Sequence, residues 1–213
     1  MLITTITSQK KRKDRVNIFV DGTYAFALDL DLMVKHRLRV GQTLSDIEVK
    51  ALVKESELAK WYNQCLNLIS LRPRSKQELG DYLTRHEVGE LTQKTVLNQL
   101  TAKNWLNDEK FAEWFVEQRL TFRPKGSRAL QMELKQKGIS TDIIQEVLTK
   151  HLDETTQIGL ARQIVAKKLT FWQKLPPLKL RLKLQNLLLR RGFSYAVINR
   201  VLEAETAATS DLT

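Results

Sequence analysis

The chain is poor in cysteine, lacks acidic side chains across one long stretch and carries no catalytic constellation, and each shortage narrows what it is. Its 213 residues include a single cysteine, Cys65, so no disulfide can close within the chain, which suits a reducing compartment. Cys65 stands beside Trp61 and Leu68 at helical spacing, which favours burial over reactivity. No apolar run approaches the ~20 residues of a membrane-spanning helix. At the N-terminus the basic cluster follows the short apolar segment, the reverse of a secretory signal, so a cytoplasmic protein with no membrane partner is expected. The three histidines, His36, His86 and His151, are scattered and match no metal-binding spacing. His86 and His151 fall near expected helix C-termini, where positive charge is favourable. The adjacent acids Asp108-Glu109 and Asp153-Glu154 stand where helices begin, and neighbouring helical residues do not face each other. There is no Walker A loop, no G-x-G-x-x-G and no G-x-S-x-G. A non-enzymatic protein without catalytic residues, metal or cofactor is expected.

What is present is positive charge, unevenly spread. The chain carries 35 basic and 24 acidic side chains, for a net charge of +11. Residues 1–45 hold a net +4, residues 46–154 are balanced, and residues 203–213 hold −3. Residues 155–202 carry ten basic side chains and no acidic one. A solvated surface mixes both signs, so an acid-free segment of this length points to a polyanionic partner, with nucleic acid foremost. Charge for solubility alone is the competing reading.

Residues 2–28 read as strands. Val16, Ile18 and Val20 alternate with Asn17 and Phe19, and Asp21-Gly22 supplies a type I′ hairpin turn before Tyr24, Phe26 and Leu28. Residues 10–14 form a charged turn, and Asp29 is placed to cap a short helix over 30–37. Such a meander is too small to stand alone and needs a surface to dock on. Beyond it the pattern is helical. Ser45 and Glu48 form a capping box that opens a long helix to about residue 70. Ser75 and Glu78 form a second box, Asn107 caps a helix carrying Phe111, Trp114, Phe115 and Leu120, and Pro177 sits at a first helical position. Glycines at 138 and 192 stop helices, with Ser140 or Thr141 and then Ser194 as the next caps.

The segment 123–148 has a counterpart on each side. Leu79, Leu83, Val96 and Leu97 match Leu130, Leu134, Val147 and Leu148, and Leu184, Leu188, Gly192, Val201 and Leu202 continue the series. A recurrence of this kind marks an array of similar units. The expected fold is mainly all-α, with three tandem three-helix repeats in an elongated array behind a small N-terminal antiparallel β meander. The expected bounds are 1–45 for the meander and linker helix, 46–106, 107–152 and 153–205 for the repeats, and 206–213 for a frayed tail.

Each repeat joins its first two helices through a basic, proline-containing turn. These carry Arg72 and Arg74, then Arg123, Lys125 and Arg128, then Lys174 with Lys179. A helix start with free amides beside Arg or Lys is an anion site. The candidate contact surface adds Lys135 and Lys137, and Lys167, Lys168, Arg181, Lys183, Arg190 and Arg191 of the acid-free segment. Aromatics near that segment are Phe171, Trp172, Phe193 and Tyr195; stacking on bases requires exposure, and Phe193 reads as core. No helix has the Asn, Gln and Arg pattern of a base reader, so sequence-independent contact fits better.

Three stretches resemble one family. Arg72-Pro73-Arg74-Ser75 with Glu78-Leu79 resembles the R-x-R-S-x-x-E-L opening of the RecX family, Leu106 to Ala112 resembles its L-x-D-E-x-x-F-A segment, and Lys125-Gly126 through Leu130, Glu133-Leu134 and Lys137-Gly138-Ile139 resembles its third motif. The first repeat departs from the pattern with His86-Glu87 where Lys-Gly is usual, and the third repeat matches only in its helical pattern. The resemblance implies a monomeric regulator that binds the RecA recombinase in the groove of its filament on single- or double-stranded DNA and inhibits it during DNA repair and recombination. A general sequence-independent DNA-binding protein is the alternative.

Overall fold

Alternation in the first 29 residues becomes a three-stranded antiparallel sheet, β1 (Ile3–Ser8), β2 (Arg15–Val20) and β3 (Thr23–Asp29), in that spatial order. The computed structural model describes residues 1–9, 13–172 and 174–210, with the side chains of 205–210 left out of account. Residues 10–12 of the expected charged turn lie outside the described residues. Asp21 and Gly22 both take positive φ, 49° and 83°, as a type I′ turn requires. Ile3, Val16, Ile18, Val20, Phe26 and Leu28 are buried on one side and meet Leu38, Leu44 and Leu52.

The short helix α1 (Leu30–Lys35) ends before the expected residue 37. Asp29 stands at its start without a capping bond; its carboxylate lies 3.0 Å from Nε of Arg15. The Arg15 guanidinium also donates to the carbonyl of Ala27 and to the buried hydroxyl of Ser56, which ties β2 and β3 to the next helix. That helix, α2 (Asp46–Leu71), opens with the expected capping box: Ser45 N–H donates to Glu48 at 2.7 Å, and Glu48 N–H donates to Ser45 Oγ at 3.3 Å. Trp61 and Cys65 are buried on it. Burial alone pushes the Cys65 thiol up to about 11.

The remaining helices are α3 (Lys76–Arg85), α4 (Glu90–Ala102), α5 (Asp108–Phe122), α6 (Ser127–Gln136), α7 (Thr141–His151), α8 (Glu154–Trp172), α9 (Pro177–Arg190) and α10 (Tyr195–Ser210). Asn107 caps α5 by accepting from the N–H groups of Glu109 and Lys110. Ser140 stands before α7 without a capping bond from its hydroxyl. Helix α10 runs to Ser210, past the end expected near 205, and residues 211–213 lie outside the described residues.

The three repeats share one turn. After α3, α6 and α9 the N–H of Val88, Ile139 and Phe193 returns to the carbonyl of Leu83, Leu134 and Leu188 at 3.1–3.2 Å. This is the six-to-one bond of a Schellman stop, and all six of these side chains are buried. The stop requires a left-handed residue, which is Gly138 at φ 77° and Gly192 at φ 83°. In the first repeat that place is taken by Glu87 at φ 56°, where a side chain is strained. The adjacent His86 ring rests against Trp61 and Tyr82, with centroids 5.6 and 4.5 Å away.

The chain divides into two compact bodies. One comprises Met1–Arg72 and Leu79–Trp105, the other Pro73–Glu78 and Leu106 onward. In the second body Phe111, Phe115, Val116, Leu130, Leu134, Ile144 and Val147 build one core, and Ile164, Val165, Leu184, Leu188, Phe193, Ile198 and Val201 another.

Candidate nucleic-acid interface

Within the second body, the basic turn after α5 is pinned by the stop after α9. Gly126 N–H donates to the carbonyl of Arg191 at 2.9 Å, and Arg128 N–H to that of Gly192 at 3.2 Å. The guanidinium of Arg191 closes the joint by donating to the carbonyl of Pro124 at 3.1 Å. The approach is close enough to require glycine: a Cβ on Gly126 would lie 2.4 Å from the carbonyl oxygen of Gly192. One repeat earlier a close approach recurs, where a Cβ on Gly138 would meet the Gln77 side chain.

At two of the three basic turns, amides that the sequence offers as anion sites are occupied, which corrects that expectation there. At the start of α6, Ser127 N–H faces Oε1 of Gln157 at 3.5 Å and Arg128 N–H is taken by Gly192. At the start of α3, Lys76 N–H donates to Asp108 at 2.8 Å and Glu78 N–H to the buried Ser75 hydroxyl at 3.1 Å. Positive charge here resides in side chains.

Beside the pinned turn lies a groove of about 840 Å³. Five of the expected cations line it: Arg123 and Lys125 from the turn, Lys167 and Lys168 from the last turns of α8, and Arg191. Pro124 and Ile164 give it an apolar floor, and Gln163 and Thr170 add neutral polar groups. Two phenylalanines stand at its edge, Phe122 at the end of α5 and Phe171 near the end of α8, exposed by 72% and 79%. Among the described residues, the lining holds no carboxylate. A restraint on its charge is Glu133, which pairs with Arg119 at 2.7 Å and with Lys125. Partial burial raises the Glu133 carboxyl, but the bonds from Lys125 and Arg119 outweigh it and hold the group below its ordinary value.

The other expected contact residues are placed elsewhere. Lys137 pairs with Glu78 at 2.8 Å, and Arg74 approaches the same carboxylate at 3.9 Å. Arg128 and Lys135 are exposed on α6, and Arg72 is half-buried. Lys174, Lys179, Arg181, Lys183 and Arg190 are exposed outside the groove lining. Of these, Lys183 sets its ammonium 4.7 Å from the ring centroid of the half-buried Trp172. Phe193 is buried, as expected. Phe122 was missed from the sequence; its signal is an aromatic directly before a basic proline turn, about two turns beyond the packed Phe115. Among the described residues, no three His, Cys, Asp or Glu side chains gather as a metal site, and no helix is long and apolar enough to cross a membrane.

Fold and surface together define a class: a tandem three-helix-repeat protein behind a small β sheet, with a cation-lined groove in its second body. Comparison with known proteins gives the class a name. The model of the regulatory protein RecX N-terminal domain matches residues 1–45, and the models of the first, second and third RecX three-helix domains match residues 62–100, 107–148 and 156–202. The chain is 35% identical over 201 residues to "Regulatory protein RecX" of Bacillus subtilis (strain 168), covering 94% of this chain and 76% of that one. It is 34% identical over 204 residues to the protein of that name from Bacillus pumilus (strain SAFR-032), with the same two shares. A crystal structure of regulatory protein RecX superimposes with a TM-score of 0.76 at 27% identity, over 95% of this chain and 98% of that one. RecX from Lactobacillus salivarius shares the fold with a TM-score of 0.63 at 24% identity, over 69% of this chain and 95% of that one. The chain belongs to the RecX family of regulatory proteins.

Proposed function

We propose that the chain regulates the RecA recombinase by binding the RecA–DNA filament, and that it lowers recombinase activity without turning over a substrate of its own. RecA is the partner that the family resemblance implies. The supporting observation is the groove, where five cations, with no carboxylate among the described lining residues, meet two exposed aromatics. Arg123, Lys125, Lys167, Lys168 and Arg191 contact nucleic acid there. The outlying cations, Arg72, Arg74, Arg128, Lys135, Lys137, Lys174, Lys179, Arg181, Lys183 and Arg190, extend the contact along the filament. About five or six phosphates neutralised in this way give a log–log salt slope near −4 on a single strand. Binding that is indifferent to salt would remove the electrostatic part of the proposal.

A second reading, sequence-independent DNA binding without a recombinase partner, is favoured by the acid-free segment 155–202 taken alone. The two part in one assay, the DNA-dependent ATPase of RecA with this protein titrated in. A regulator lowers the rate at ratios to RecA well below those needed to coat the DNA. A general DNA binder leaves it unchanged until the DNA itself is sequestered.

A further inference from the structure

Phe122 and Phe171 are the groove's unusual feature. Helix α5 packs Phe111 and Phe115 into its core yet leaves Phe122 in water, and α8 leaves Phe171 exposed beside the half-buried Trp172. Aromatic surface left in water forgoes burial, and exposed apolar groups gathered at one place mark a contact site. Both rings open on the same groove and both neighbour cations. Arg123 follows Phe122 in the chain, and the Lys168 ammonium stands 5.6 Å from the Phe171 ring centroid.

A duplex turns its base faces inward and offers this surface only phosphates and base edges. A single strand offers π-faces and phosphates in alternation, and an aromatic with an adjacent cation complements each in turn. We infer that the groove is a single-strand nucleic-acid site, in which unpaired bases stack on Phe122 and Phe171 while Arg123, Lys167, Lys168 and Arg191 hold the phosphates. This rests on the nucleic-acid reading above and adds the form of the nucleic acid and the side chains that select it. Because every base has a π-face, the site takes any sequence.

The test is a fluorescence-anisotropy titration of the full chain at fixed salt with three labelled probes of about 15 nucleotides, a length within the range that such grooves occupy. The probes are oligothymidylate, an abasic strand with the same phosphates, and a duplex. Oligothymidylate should bind tighter than either of the others. Phe122→Ala and Phe171→Ala should each weaken oligothymidylate binding roughly tenfold, as loss of a stacked base does, and leave abasic binding and the salt slope unchanged. Phe122→Trp and Phe171→Trp keep a stacking face and should retain the affinity. Should an alanine variant also melt early, the tryptophan pair and the abasic comparison still decide. The Lys167→Ala, Lys168→Ala double variant should weaken all three probes and flatten the single-strand slope by about 1.4. Equal affinity for the abasic strand and oligothymidylate would overturn the inference, leaving a groove for phosphate or acidic side chains alone; unchanged oligothymidylate binding by the alanine variants would overturn it too. A chain that prefers oligothymidylate but leaves the RecA ATPase untouched contradicts the regulator reading and upholds this one. A chain that lowers the ATPase but treats the abasic strand as oligothymidylate does the reverse.

Discussion

Replacing Gly126 with alanine should do more damage than its conservative chemistry suggests. The backbone there, φ −78° and ψ 167°, is open to any residue, so the cost is steric alone. The new methyl would stand 2.4 Å from the carbonyl oxygen of Gly192 and 2.5 Å from both its carbonyl carbon and the amide nitrogen of Phe193. All three are backbone atoms and cannot rotate aside. Relief requires the turn to retreat by about 1 Å, to ordinary contact distance. That retreat stretches the bonds from Gly126 N–H to Arg191 and from Arg128 N–H to Gly192, now 2.9 and 3.2 Å. Two backbone hydrogen bonds at about 1 kcal/mol each, with about 1–3 kcal/mol of overpacking, give a loss of about 3–5 kcal/mol. In a chain of this size that lowers the melting temperature of the second body by roughly 10 °C. Gly159→Ala is the control: it lies within α8 with nothing near the added methyl, and should stabilise the same body by about 0.5–1 kcal/mol. Urea unfolding of both variants against the parent measures the difference. An alanine at 126 that costs less than about 1 kcal/mol, within the ordinary scatter of substitutions, would refute the claim that this joint fixes the groove.

Four other outcomes are expected. Glu87→Gly removes a side chain from left-handed backbone and should stabilise the first body by about 0.5–1 kcal/mol, read by urea unfolding. Arg123→Ala with Lys125→Ala should weaken single-strand binding and flatten its salt slope by about 1.4 while the melting temperature stays within a few degrees, since Glu133 keeps its pair with Arg119. Glu133 has a folded pKa below its unfolded value, so its contribution is complete above the ordinary carboxylate value of about 4.3 and is lost as pH falls through the lower folded value. Melts taken across that acid range should therefore fall less steeply in Glu133→Gln than in the parent. Cys65, buried and with its thiol pushed up to about 11, should resist alkylation at neutral pH and become labelled only on unfolding.

Much of the fold was legible because its information is local or repeated. Asp21-Gly22, Ser45 with Glu48, and Asn107 act within four residues and do what their chemistry says. The leucine series shows a repeat because the same Schellman stop recurs three times, and a period can be read without knowing what each repeat packs on. Where the sequence misled, a distant partner decided. Asp29 has the form of a cap, but Arg15 across the sheet takes its carboxylate. The amides at the starts of α3 and α6 look free in sequence and are occupied in the fold, one by Asp108, 32 residues on.

The site follows the same division. Its cations were visible as composition, since an acid-free segment needs no geometry to be noticed. Their gathering into one groove was not, because it depends on a joint between turns 67 residues apart, where Arg191 meets Pro124. Charge pairing was hidden for the same reason: Lys125 and Lys137 read as solvent-facing until Glu133 and Glu78 are placed beside them. Phe122 continues the helical series of Phe111 and Phe115, and only the end of the core beneath it separates a packed ring from an exposed one.

The most direct measurement is the DNA-dependent ATPase rate of RecA as this protein is titrated in, beside a variant in which Lys167, Lys168 and Arg191 are alanine. A regulator acting through the groove lowers the rate with the intact chain at low ratios to RecA and does so far less with the variant. An intact chain that binds DNA yet leaves the rate unchanged, or a variant that lowers it as well as the parent, contradicts the proposal.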